Sequence, residues 1–346
     1  MKTDFTEYLS NFNDIWDVKC KNYDKLPNIL PPANRIIVIG DIHGDLPILL
    51  QCLNKAKVID LNNNWIGKDT IIVQVGDQID SCRYNGINKC MDPNTHKINF
   101  TNDIAHDIII LKFMTQLHYK AQQKGGAVYS LLGNHELMNV MGDMTYVSHK
   151  NVNQFKNYKL PDGTIIEDAL TARKYIFSPG NDIANFLACS RQGALIIGSN
   201  LFVHAGIVPE ISTKYKIEDL NKLITLFLLN ELKNPNIFQD IFISSKLSPL
   251  WTRSFGYDKS LNECNDLMSP LKSLYKVGRI VVGHTPQLKH GINNICNKEV
   301  YLVDVGMPDA FNQFDEIKIK TGIKSKYRTA QVLEILNDGE IINILK

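Results

Sequence analysis

The sequence predicts an α/β protein whose functional loops sit at the C-terminal ends of buried strands. Two observations carry this. Between residues 35 and 136, a short β-branched run, a glycine-bearing polar patch and a helical segment recur three times. Five such patches in all follow apolar runs: Gly-Asp-Ile-His-Gly-Asp at 40–45, Gly-Asp-Gln-Ile-Asp at 76–80, Gly-Asn-His-Glu at 133–136, Phe-Val-His-Ala-Gly at 202–206 and Val-Gly-His-Thr-Pro at 282–286. Each places Asp, Asn or His where a strand should end.

Residues 1–33 are polar and aromatic and end in Pro31-Pro32, which predicts a helical lead-in followed by a stop. The run at 35–39 is a short buried strand closed by Gly40. A helix is expected over 46–56, with Pro47 tolerated in its first turn. A second strand covers 70–75, a helix 103–123 follows, Gly125-Gly126 ends it, and a third strand spans 127–132. In the second half, 194–197 and 200–203 read as a hairpin around Gly198-Ser199, and 279–282 and 300–303 as further strands. A last pair, 330–335 and 340–345, is joined by Asn337-Asp338-Gly339, a strong hairpin signal. The segment 81–102 is a long polar loop, and 213–276 is an insertion that reads as largely helical. No linker divides 34–346, which is expected to be a single domain.

Composition narrows the function classes. A hydrophobic content of 44% suits a soluble globular chain, and no apolar stretch approaches the roughly 20 residues that span a bilayer. The N-terminus lacks the apolar core of a signal peptide. A net charge of +2 without a Lys/Arg run gives no footing for nucleic acid. Seven scattered cysteines match neither a zinc-finger spacing nor a disulfide framework; Cys82 and Cys90 share a loop and could pair or bind metal, but free thiols in a reducing cytoplasm are the expectation.

The patches contain hard oxygen ligands and imidazoles, never thiolates. That donor set suits two divalent metals of the manganese, iron or zinc kind and points to hydrolysis at phosphorus. Asp41 and His43, at i and i+2, leave a strand end in the same direction, so one metal could take both. Asp77 ends the next strand and is the natural bridging carboxylate, while Asn134, His204 and His284 would complete the second metal site. Asp45 reads as a helix cap, Glu136 as a support for the turn, and Asp304 as a turn residue that could equally face the site.

Taken in order, the five patches resemble the calcineurin-like metallophosphoesterase superfamily in its phosphoprotein phosphatase form. Phe-Ser-Pro-Gly at 177–180 and Pro-Leu-Trp-Thr-Arg at 249–253 are similar to those of the bacterial-type, Shewanella-like serine/threonine phosphatases. The resemblance covers about 35–307. It implies a four-layer sandwich of two mixed sheets flanked by helices, two bound metal ions (manganese in vitro, with iron or zinc as alternatives) and a phosphoprotein substrate. The implied ligands are Asp41 and His43 on one metal, Asn134, His204 and His284 on the other, and Asp77 between them. His135 would be the general acid, Asp80 its orienting partner, and a metal-bridging hydroxide the in-line nucleophile. An imidazolium beside the phosphoryl group suits an alkoxide leaving group, which needs a proton.

One departure stands out. The family's second motif continues from Asp into Arg-Gly, and that arginine grips phosphate. Here Ser81 follows Asp80, so phosphate binding falls to Arg253, to Arg83 reaching in from a remodelled loop, or to both, beside Asn134. Two other readings stay open: hydrolysis of small phosphate esters or diadenosine tetraphosphate-like nucleotides on the same core, and a metal-free scaffold. The sequence names no regulatory subunit.

Overall fold

The β-branched runs that lead into the five patches become strands almost wholly buried on both faces, whereas the last run, 340–345, becomes a half-exposed edge strand. The computed structural model describes residues 5–83, 89–98 and 102–346, so positions 84–88 and 99–101 of the expected 81–102 loop lie outside the described residues. In chain order the first seven strands are β1 (Ile29–Leu30), β2 (Arg35–Ile39), β3 (Ile71–Gln74), β4 (Ala127–Ser130), β5 (Tyr158–Lys159), β6 (Ile165–Ile166) and β7 (Ala194–Ile197). They are followed by β8 (Asn200–Val203), β9 (Arg279–Val282), β10 (Asn293–Ile295), β11 (Val300–Leu302), β12 (Val332–Leu336) and β13 (Ile341–Leu345).

Two mixed sheets form, in the orders β13-β12-β2-β3-β4 and β1-β7-β8-β9-β11-β10, and β5–β6 is a separate hairpin. In the first sheet β2, β3 and β4 are parallel, and β12 pairs antiparallel with β2. In the second, β8 is parallel to β9 and β9 to β11. This is the expected arrangement of two mixed sheets with flanking helices.

Strand periodicity explains why the runs are apolar throughout. Leu195, Ile197, Phe202 and Val281 face the first sheet and share a core with Ile36, Val38 and Ile72. Their alternates Ala194, Ile196, Leu201, Val203, Ile280 and Val282 pack into a second core with the helices. That core includes Leu220, Leu223 and Ile224 of the helix Ile217–Leu228. Full burial of such a side chain is worth roughly 1.5–3 kcal/mol.

Four expectations need correction. The lead-in holds helices Thr6–Ser10 and Phe12–Lys19, but it then enters the second sheet as β1, parallel to β7. The helix expected from 103 starts at Asp107, where Asn151 Oδ1 accepts the Asp107 N–H at 3.2 Å. The polar loop contains a short helix, Thr95–Ile98. Finally, six of the seven cysteines are not free thiols: Cys20–Cys189, Cys82–Cys90 and Cys264–Cys296 are disulfides. The first joins residues 169 apart in sequence, because the lead-in packs on the helix Asp182–Ser190. Spacing cannot reveal such a pairing. Cys52 is a buried thiol whose pKa burial raises to about 12. Free thiols thus give no support for a reducing compartment. No described helix is long and apolar enough to cross a membrane.

Candidate metal centre and active site

The C-terminal ends of strands from both sheets converge on one place. Asp41 and His43 follow β2, Asp77 and Asp80 follow β3, and Asn134 and His135 open the helix Asn134–Val140 after β4. From the other sheet come His204 after β8, His284 after β9 and Asp304 after β11. Turns this tight need left-handed backbone. His43, Asp77, Asp80 and His284 have φ of 42°, 53°, 72° and 65°, at roughly 1–2 kcal/mol each for an L-residue. A Cβ at Gly133 would strike the Asp77 carboxylate, and one at Gly283 that of Asp41, so only glycine allows this approach.

Buried hydrogen bonds hold the loops in register. The Asp77 carbonyl accepts the N–H groups of Ile42 and His43, both at 2.9 Å, joining the first two patches. The Glu136 carboxylate accepts from the N–H of Gly133 (2.7 Å), Gln78 (2.7 Å), Asp77 (3.0 Å) and Ile79 (3.3 Å). Glu136→Ala would strand these buried donors. It is expected to lower the unfolding free energy by roughly 3–5 kcal/mol, read from urea melts; a melt superimposable on wild type would refute this.

Asp77 lies between two groups of imidazoles. Its Oδ2 is 3.7 Å from His43 Nε2, and its Oδ1 is 3.4 Å from His204 Nε2. The far side of each ring assigns its tautomer. His43 Nδ1–H donates to the Ile79 carbonyl (3.2 Å), His204 Nδ1–H to that of Val75 (2.8 Å), and His284 Nε2–H to that of Trp251 (3.0 Å). The opposite nitrogen of each ring is left as an acceptor. Around His204, Nε2 meets Asn134 Oδ1 at 3.0 Å as well as Asp77 Oδ1. Three acceptors converging without a hydrogen between them require a cation, either a proton or a metal.

The charges agree with that requirement. Burial, then the neighbouring Asp304 and Asp77 carboxylates, raise the Asp41 pKa well above its usual range. Burial, with Asp77 adding to it, raises Asp304 to about 6, and Asp304 Oδ2 is buried without a hydrogen-bond partner among the described residues. Burial works against the Asp77 carboxylate too, but His204 and His135 hold its pKa well below normal. Burial and then Arg83 lower the His43 pKa; burial and then His204 lower that of His284. His204 differs: burial opposes its charge, but Asp77 raises its pKa, so a proton stands there in the place of a cation. Neutral imidazoles can be ligands, and the crowded Asp41 and Asp304 carboxylates await positive charge.

Among the described residues, two groups bring their ligand atoms within 4.8 Å of one another: His43, Asp77 and His135, and Asp77, His204 and His284. Asp77 belongs to both. Asp41 adds to the first, its Oδ2 lying 3.9 Å from His43 Nε2 and accepting the His284 N–H at 3.1 Å. These donors fit a dinuclear site for hard or borderline divalent cations.

His135 is tied differently. Its Nδ1 is 2.8 Å from Asp80 Oδ2, and Asp80 also accepts Asn139 Nδ2 at 2.9 and 3.1 Å. Arg173, fully buried, donates to Asn139 Oδ1 (3.0 Å) and to Asp107 Oδ2 (2.8 Å). With Nδ1 held, Nε2 points to the centre, 3.9 Å from Asp77 Oδ2.

The centre opens into a cavity of about 510 Å³ lined by both arginines in question. Arg83 is buried; its Nη2 meets His43 Nε2, and its guanidinium lies over Phe311 (4.6 Å) and Tyr146 (5.5 Å). Arg253 is exposed at the rim, donating to the His284 carbonyl at 2.9 Å. All ten sequence-predicted residues thus meet at one site. Tyr146, Phe311 and Arg173 carry no mark in the sequence. Asn139 does, for it stands four residues after His135 on one helix face.

The calcineurin-like phosphoesterase model matches residues 34–288. An uncharacterised protein of Acanthamoeba polyphaga mimivirus is 38% identical over 251 residues, spanning 65% of this chain and 95% of that protein. Shewanella-like protein phosphatase 1 of Plasmodium berghei is 30% identical, over 82% of this chain and 70% of that protein. Among solved structures, a cold-active protein tyrosine phosphatase superposes with a TM-score of 0.64 at 22% identity, covering 93% of this chain and 81% of that one. Its likeness is one of fold. The family match takes in every ligand loop described above, and by it this chain belongs to the calcineurin-like phosphoesterase family.

Proposed function

We propose that this chain is a dinuclear metal-dependent phosphomonoesterase acting on phosphoserine or phosphothreonine in proteins. The observation that supports it best is the Asp77 carboxylate, turned by one oxygen to His43 and by the other to His204, with His135 beside it on Asp80. The name of the Plasmodium relative supports a protein substrate. Asp41, His43, Asp77, Asn134, His204 and His284 would hold the two ions. Manganese is the first choice in vitro, with iron and zinc as alternatives for this donor set. Bound there, divalent metals would supply a nucleophile from water at neutral pH and polarise the phosphoryl oxygens.

The chain's own groups do the rest. His135 gives the leaving oxygen a proton from Nε2, the nitrogen that Asp80 leaves turned to the cavity. Arg253 binds phosphate oxygens from the rim, and Arg83 from within. His43 Nε2 cannot serve Arg83 and an ion together, so with a metal held there the Arg83 guanidinium would have to turn into the cavity that Phe311 and Tyr146 line.

The test is parallel turnover of phosphoserine, phosphothreonine and phosphotyrosine peptides, diadenosine tetraphosphate and p-nitrophenyl phosphate, with the metal chelated and with manganese restored. Manganese-dependent release from the phosphoserine or phosphothreonine peptides is expected. Turnover of the dinucleotide alone would replace the reading with a nucleotide hydrolase; no bound metal and no turnover would leave a scaffold. Arg253→Ala is expected to raise KM about ten- to a hundred-fold, the scale of one charged hydrogen bond, at unchanged metal content. Unaltered KM and turnover would remove Arg253 from the site.

A further inference from the structure

Beside the catalytic cavity lies a second concavity of about 430 Å³, and Asp143 and Thr145 line both. Its floor is apolar. Met144 is buried, and Met91 and Leu170 are half-buried against Val147, Val152 and Ala169. Lys89 and Lys174 line it as well and are exposed; neither stands in an ion pair among the described residues. Three segments build this groove: residues 89–91, the turn at 142–145 and the helix Ala169–Phe177. The 89–91 wall is anchored. The Cys82–Cys90 disulfide ties it to the residue before Arg83, the Cys82 N–H donates to the Tyr146 carbonyl (3.3 Å), and His149 Nδ1 lies 3.1 Å from the Met91 carbonyl.

We propose that this groove is a substrate-selecting subsite, which receives an apolar side chain of a protein substrate near the phosphorylated residue while Lys89 and Lys174 favour an acidic neighbour. The inference rests on the phosphatase reading above. A small phosphate ester ends within the first cavity; only a substrate chain that continues past its phosphate can cross the shared wall at Asp143 and Thr145. Methionine and leucine form a floor that adapts to different aliphatic side chains. Two lysines and no acidic group other than Asp143 set the sign of the charge preference. The Asp143 carboxylate is already engaged by Thr145, whose N–H and hydroxyl reach Oδ1 at 2.9 and 2.6 Å.

The experiment uses the full chain loaded with manganese and three substrates: a phosphoserine peptide with Leu and Glu on both sides, the same peptide with Gly and Lys, and p-nitrophenyl phosphate. Wild type is expected to prefer the Leu/Glu peptide by roughly ten- to a hundred-fold in kcat/KM, the scale of one buried aliphatic side chain. Leu170→Asp should remove most of that preference, and Lys174→Glu, an exposed change that spares the fold, should turn it toward the Lys peptide. Both should hydrolyse p-nitrophenyl phosphate within two-fold or so of wild type. Equal turnover of both peptides by wild type, or an equal fall on all three substrates in Lys174→Glu, would overturn the subsite and leave the phosphatase reading standing. No turnover of any of the three substrates by wild type would instead overturn that reading, and the subsite with it.

Discussion

Asp77→Asn is expected to leave a folded protein that no longer retains two metal ions and has lost nearly all phosphate-ester turnover. The change keeps the side chain's shape, and asparagine's Oδ1 can still accept the His135 N–H that Asp77 Oδ1 accepts at 3.0 Å. It removes the one charge common to both imidazole groups and turns an amide toward His43 or His204, where an acceptor stood. Losing a group one layer further from a metal commonly costs about 10- to 100-fold in affinity or activity, so loss of the shared carboxylate should exceed that. Metal analysis after dialysis, with circular dichroism to confirm folding, is the measurement. Two equivalents retained at wild-type activity would exclude Asp77 as a ligand.

His135→Ala should behave in the opposite way, keeping the metals and losing the chemistry. A positioned proton donor contributes about a hundred- to ten-thousand-fold, and that loss should fall on kcat for phosphoserine peptides, whose alkoxide leaves poorly without a proton. It should be much smaller for p-nitrophenyl phosphate, whose phenolate leaves well unprotonated. The comparison also settles a question of geometry, because His135 lies close enough to His43 and Asp77 to ligate. If His135→Ala loses one equivalent of metal, and both substrates suffer alike, His135 is a ligand and the proton comes from elsewhere.

The ligand loops were legible because their requirements are local. A strand buried on both faces must be apolar along its length, and a chain turning sharply beside a carboxylate must place glycine there, as Gly133 and Gly283 do. Period and punctuation therefore located Asp41, Asp77, Asn134, His204 and His284 without tertiary knowledge. What stayed hidden depends on distant segments meeting. Phe311 arrives from a 3-10 turn far along the chain, and Arg173 from a helix with nothing unusual in its pattern. Asp304 was ambiguous because its turn is satisfied either way: Oδ1 accepts the Gly306 N–H at 2.8 Å while Oδ2 stays unpartnered. The strand β1 and the Cys20–Cys189 pair were missed for one reason, since both depend on where the lead-in comes to rest.

The left-handed turns at His43, Asp77, Asp80 and His284 also bear on how this chain can change. Glycine would relax each of them by roughly 1–2 kcal/mol, so the backbone favours the very residue that would erase the side chain. At Asp80 that gain is outweighed, because glycine would strand the His135 Nδ1–H and the Asn139 amide; wherever the backbone term wins, heat resistance would cost part of the active centre. A hardened variant should therefore seek its stability in the helical layer or the loops far from the strand ends.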